Sequence, residues 1–172
     1  MHNAGRYGLK YTFMIIETRN QKKVALRRLD SGDIDALCRY LEQLSVDTRR
    51  RFGPHPYDKQ SVTEFYQAEN EHTGYVATDT ETAEIVAYFI IKEGYLEQDG
   101  HRLAAYGFPP DADTDCTFAP SVADAWQSCG VGNELFRFVL EEVKASGKRR
   151  IILWAGVQGD NEKAKQFYRK QG

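Results

Sequence analysis

Gln127-Ser128-Cys129-Gly130-Val131-Gly132 is the stretch on which the reading of the fold turns. It separates a β-leaning run, residues 116–122 (CTFAPSV), from residues 133–146, where Leu135, Phe136, Val139, Leu140 and Val143 recur on one helical face. Glycines at a strand-to-helix passage let backbone N–H groups approach a phosphate, and a helix N-terminus adds unsatisfied donors with a partial positive charge. A tight turn whose glycines serve geometry alone is the other reading of the same residues. Two phosphate motifs do not fit. A P-loop needs Lys-Ser or Lys-Thr after its second glycine, and Asn133-Glu134 stand there. A dinucleotide fingerprint needs a third glycine, and Leu135, Phe136 and Arg137 follow instead.

Working outward, Gly147 supplies a helix stop, residues 150–155 (RIILWA) read as a buried strand, and residues 162–171 as a helix capped by Asp160 or Asn161. Upstream, residues 11–18 (YTFMIIET) and 24–28 read as strands. Ser31 is an N-cap candidate for a helix carrying Ile34, Leu37, Cys38, Leu41 and Leu44 that ends near Ser45. Residues 46–58 (VDTRRRFGPHPYD) read as a loop broken by Gly53, Pro54 and Pro56. Residues 61–68 read as a short helix, 74–78 and 85–92 as strands, and 109–114 as a loop. Residues 95–106 are ambiguous, a further strand after a turn at Asp99-Gly100 being one reading.

The chain has 172 residues, 41% of them hydrophobic and 12% aromatic, which fits one globular domain over residues 1–172 rather than disorder. A formal net charge of −2 argues against a general nucleic-acid binder. Cys38, Cys116 and Cys129 are odd in number and without a CxxC pair, so they read as reduced thiols rather than a disulfide frame or metal site. The N-terminal apolar run is too short for a signal peptide or membrane span, and the expected compartment is the cytoplasm.

Gln127, Gly130 and Gly132 match the Gln/Arg-x-x-Gly-x-Gly/Ala signature of the GNAT superfamily of acyl-CoA-dependent N-acyltransferases, which the chain resembles. Asn161-x-x-Ala164-x-x-Phe167-Tyr168-x-x-x-Gly172 is similar to the family's closing segment, and the likeness runs as a pattern over residues 24–172. The fold it implies is α/β (α+β): a mixed, mostly antiparallel sheet flanked by helices, here with an extra strand within residues 1–20 and without the usual last two strands.

The resemblance also implies an activity, acetyl transfer from acetyl-CoA, a co-substrate, to a primary amine by direct attack and without a metal. The pantetheine arm would pair with the family's fourth strand at Ser121 and Val122. Amides of Gln127, Ser128, Cys129, Gly130, Val131, Gly132 and Asn133 would hold the pyrophosphate. Asn161 would bond the cofactor arm, although an asparagine that opens a helix is equally a cap. Tyr168 would protonate the leaving thiolate. Cys129 as a nucleophile is disfavoured, having no histidine partner. The glutamate that many relatives carry on the fifth strand is replaced by Gly156, so the base is unassigned; Asp115, Asp124 and His55 are substitutes by chemistry alone, and a water relay is another.

Arg49–Arg51 are candidates for an anionic substrate, Lys148–Arg150 for the cofactor's phosphates, and Tyr57, Phe65 and Tyr66 for an acceptor pocket; a solvated face and core packing are the alternatives. Residues 11–18 are expected to fill the sheet edge left vacant beside residues 151–155, within the chain or by exchange with a second copy in a homodimer. The acceptor is a small-molecule or peptide amine. The rival reading is a non-catalytic acyl-CoA-binding or interaction module.

Overall fold

The computed structural model describes residues 13–67, 71–154 and 161–171. The sequence readings that touch Tyr11, Thr12, Ala68, Ala155, Gly156, Asp160 and Gly172 lie outside the described residues. Six strands form one sheet in the order β1-β2-β3-β4-β5-β6: β1 Phe13–Glu17, β2 Lys23–Arg28, β3 His72–Asp79, β4 Ile85–Glu93, β5 Asp115–Val122 and β6 Arg150–Leu153. Neighbours are antiparallel except the last pair, where β5 and β6 run parallel with α5 (Val131–Ala145) as the crossover. This is the expected mixed, mostly antiparallel sheet.

Strand alternation gives the sheet two apolar faces and therefore two cores. Phe89, Ile91, Phe118 and Tyr75 point to the face covered by α5, whose Val131, Leu135, Phe136, Val139 and Val143 are buried there. α6 (Glu162–Gln171) adds Phe167 and Tyr168 to that side. Val76, Tyr88, Ile90 and Ala119 point the other way, onto Leu37, Tyr40 and Leu41 of α1 (Ile34–Gln43) and Val62 of α3 (Lys59–Gln67). Tyr57, Phe65 and Tyr66 pack against this second core, the bland one of their two readings.

Four readings are corrected. Asp30, not Ser31, caps the first helical turn: its carboxylate accepts from the Gly32 amide at 2.8 Å while Asp33 accepts from the Asp30 amide at 2.9 Å. The supposed loop after Ser45 begins with a short helix, α2 (Val46–Arg51), which stops just before Gly53 and Pro54. Residues 95–106 hold no strand but α4 (Glu97–Ala105), with Gly100 inside it; Asp99 is clamped by Arg102 at 2.8 Å, and Gly107, at φ 79°, takes the left-handed closing turn. Finally, β1 pairs with β2 as a hairpin, Phe13 opposite Arg27 through Glu17 opposite Lys23. It therefore occupies the edge opposite β6, five strand spacings or about 24 Å away, and does not fill the position beside β6 within the chain.

Candidate active site

β5 and β6 keep company for four pairs, Asp115–Arg150 to Phe118–Leu153, and the last rung is the Trp154 amide donating to the Phe118 carbonyl at 2.9 Å. β5 then runs on to Val122 with no described strand on that flank. The Ala123 amide bonds Val86 on β4, so alternation turns the backbone groups of Ser121 toward β4 and those of Pro120 and Val122 toward the open flank. Pro120 has no N–H to leave unsatisfied there. The Val122 carbonyl accepts from Gln127 Nε2 at 3.4 Å. Ser121 is tied inward, its hydroxyl bonding the Tyr88 carbonyl at 3.1 Å and the Tyr40 hydroxyl at 2.9 Å.

After a single 3₁₀ turn at Asp124–Trp126 the chain takes two left-handed residues, Ser128 (φ 65°) and Gly130 (φ 98°), and enters α5. Gly130 stands at the N-cap without a capping side chain, and the helical ladder opens with the Glu134 amide on its carbonyl at 3.2 Å. No described residue accepts from the amides of Ser128, Cys129, Gly130, Val131, Gly132 or Asn133. Gly132 serves close approach instead, since a Cβ there would lie 3.3 Å from Val122 Cγ2, so the loop sits directly on the exposed end of β5. Unpartnered donors converging at the start of a 15-residue helix fit a diphosphate. Cys129 is structural, 8% exposed, with its Sγ on the Trp126 carbonyl and its own carbonyl accepting from the Arg19 amide at 2.9 Å.

α6 lies along this loop. Lys163 reaches Gln127 Oε1 at 3.2 Å and Gln171 reaches Asn133 Oδ1 at 3.3 Å, which brackets Tyr168 between two ties to the glycine segment. Asn161 Oδ1 accepts from the Ala164 amide at 3.2 Å, the cap of α6. Tyr168 packs its ring 5.1 Å from Phe167, which in turn meets Phe136 at 5.6 Å. Its hydroxyl has no hydrogen-bond partner among the described residues, and burial pushes it well above the ordinary phenol range, so it is protonated at neutral pH.

The substitutes for a base are engaged elsewhere. Arg150 clamps Asp115 through two bonds of 2.8 and 2.7 Å. Asp124 accepts from the Ser45 amide and hydroxyl and from the Thr48 hydroxyl, fastening the start of α2; burial would raise its carboxyl, but these donors outweigh that and hold it below the usual range. His55 is 7% exposed, with Nδ1 on the Pro56 carbonyl at 2.7 Å; that nitrogen must donate, so Nε2 accepts from the Tyr88 hydroxyl at 3.0 Å. The Tyr88 oxygen accepts in turn from Tyr66.

Arg49 of α2 folds back onto the carbonyls of Leu44 and Glu42, the C-terminal end of α1. Lys148 and Arg150 sit where β6 starts beside Asp115, at the far end of β5 from Val122, so a role at the cofactor's phosphates is withdrawn. What sequence reasoning missed is the β1–β2 turn, which lies on the loop through Arg19 and Lys22, the latter 4.8 Å from the Trp126 ring centroid. That contact joins residues over 100 positions apart, and no local pattern announces it.

Residues 38–172 match the acetyltransferase (GNAT) family. The chain belongs to that family. The GNAT domain of S. lividans PAT superposes with a TM-score of 0.74 at 20% identity, covering 96% of this chain and 89% of that one. A GNAT-family acetyltransferase from Streptococcus pneumoniae gives 0.62 at 18%, covering 87% and 83%. An aminoglycoside N-acetyltransferase, AAC(6')-Iy, in complex with CoA gives 0.61 at 12%, covering 87% and 86%. At these identities the likeness establishes the fold. No curated protein matches the chain. This GNAT chain is an acyltransferase by family, and no described helix is long and apolar enough to cross a membrane.

Proposed function

We propose that this GNAT chain is an N-acetyltransferase that moves an acetyl group from acetyl-CoA to a primary amine on a small molecule or peptide by direct attack. The observation that carries the proposal is the row of amides from Ser128 to Asn133, without acceptors among the described residues, lying against the open flank of β5. In this reading those amides hold the diphosphate, Gln127 keeps the loop against Val122, and the backbone of Val122 on the open flank aligns the pantetheine arm, a part that Ser121, turned to β4, does not share. Asn161 fixes the start of α6 and offers its amide nitrogen to the arm. Bound there, acetyl-CoA supplies an activated thioester.

The acceptor has to arrive as a neutral amine, because an ammonium has no lone pair to attack with. Tyr168 then supplies the proton that the departing sulfur requires; its burial keeps that proton in place at every physiological pH. With Asp115, Asp124 and His55 all engaged, the amine's proton leaves through water. The test is thiol release from acetyl-CoA over a panel of amines. Transfer that falls in Tyr168→Phe with CoA affinity intact supports the reading.

The absence of a free base among those three groups favours one rival, an acyl-CoA-binding module without turnover. It predicts saturable acetyl-CoA binding and no acetylated product with any amine.

A further inference from the structure

The β1–β2 hairpin lies ahead of residue 38, where the family match begins, and it bears on the candidate cofactor site. The turn between β1 and β2 is rigidly built. The Thr18 amide and hydroxyl both donate to the Lys22 carbonyl, at 2.8 and 3.0 Å, and Gln21 takes a left-handed conformation (φ 61°) with its amide on the Thr18 carbonyl. Thr18 is buried, so the turn is anchored. Its apex is pinned to the glycine loop by the Arg19 amide on the Cys129 carbonyl at 2.9 Å.

The Arg19 side chain runs over Gly130. Its Cγ and Nε both lie 3.8 Å from the point where a Cβ on Gly130 would be. No described carboxylate pairs with its guanidinium, although the chain holds 25 acidic residues. Two acids of the adjoining elements are already paired, Glu134 with Arg137 at 3.0 Å and Asp79 with Lys22 at 3.9 Å. An exposed arginine side chain thus runs over a loop whose amides from Ser128 to Asn133 have no acceptor among the described residues. Only an anion complements both, and the fork geometry suits a phosphate.

We propose that Arg19 is a cofactor-binding residue, closing over the diphosphate of CoA from the side opposite the α5 amides, so that the β1–β2 hairpin forms one wall of the site. This rests on the glycine loop being the CoA site. The test is calorimetric titration of CoA and of 3′-dephospho-CoA into wild type, Arg19→Ala and Arg19→Lys, with melting temperatures of the free proteins as a fold check. Because the pinning bond is made by the backbone, all three should melt alike. A charge-assisted phosphate contact predicts that Arg19→Ala weakens both ligands by the same factor, on the order of ten- to a hundred-fold, with Arg19→Lys intermediate. Equal affinities of wild type and Arg19→Ala overturn the assignment, as does a loss confined to CoA, which would place the guanidinium at the 3′-phosphate. No binding by the wild type overturns the cofactor site itself, a distinct outcome visible before any variant is made.

Discussion

Replacing Gly130 by alanine isolates a backbone cost from a steric one. At φ 98° the residue occupies a conformation that an L side chain enters at a cost of about 1–2 kcal/mol, yet the nearest atoms to a new Cβ, Arg19 Cγ and Nε, are 3.8 Å off and make no clash. Stiffening of the unfolded chain offsets about 0.4–1 kcal/mol of this, leaving a net destabilisation of about 1 kcal/mol. For a domain of 172 residues that lowers the melting temperature by roughly 2–4 °C. Gly147, at φ 82° with nothing within 4 Å, is the matched control at the other end of α5. Gly147→Ala should cost the same stability by urea denaturation. Only Gly130→Ala should also weaken acetyl-CoA, by about tenfold if two amide contacts lose their aim at roughly 0.5–1 kcal/mol each. Gly130→Asn, larger but tolerant of the left-handed region, should cost less stability than alanine. If asparagine proves as damaging as alanine, the penalty is one of volume and the argument from φ is wrong.

Tyr168→Phe should lower kcat by about a hundredfold or more while leaving the CoA dissociation constant and the melting temperature nearly unchanged, because the hydroxyl has no described partner to lose; a fall in affinity as large as that in rate would contradict its role as an acid. His55 and His72 both have imidazoles held below the ordinary value, chiefly by burial. The unfolded chain therefore takes up protons first as pH falls below about 6.5, and stability present above that pH is lost toward pH 5. His72→Phe keeps the 3.9 Å stack on Phe65, removes a buried Nδ1 without a partner, and should flatten the melting-temperature profile between pH 7 and 5; an unchanged slope would refute its share. Asp124→Ala strips three hydrogen bonds from the start of α2 and should destabilise by about 1 kcal/mol in denaturant, with faster amide exchange across Val46–Arg51.

Elements whose signals are local were legible. The α5 stripe of Leu135, Phe136, Val139 and Val143 repeats with the helical period, and the unbroken apolar runs of β4 and β6 mark strands by their length and β-branched content. The failures have non-local causes or ambiguous local cues. Asp99-Gly100 resembles a turn until Arg102 engages the aspartate, and the short α2, capped locally by Ser45, is fastened at its start by Asp124, 79 positions away. The edge that β1 joins is set by a compact turn at residues 18–22, and a local hairpin needs no long chain closure, whereas the edge beside β6 would. Lys148–Arg150 looked suited to phosphates only until strand direction carried them to the other end of β5. At the candidate site, the glycines and the helix start could be read in advance because they obey a backbone rule. The engagement of Asp115, Asp124 and His55, and the approach of Arg19, could not, since each depends on a partner supplied by another element.

The central claim is that the amides of Ser128 to Asn133 and the open flank of β5 receive acetyl-CoA. The most direct measurement is a titration of acetyl-CoA into isotopically labelled protein, following each backbone amide by NMR. The account predicts saturable shifts concentrated at residues 128–133 and Val122, with the Ala123 amide, bonded to β4, much less affected. Saturable shifts centred elsewhere, or none at millimolar acetyl-CoA, would contradict it.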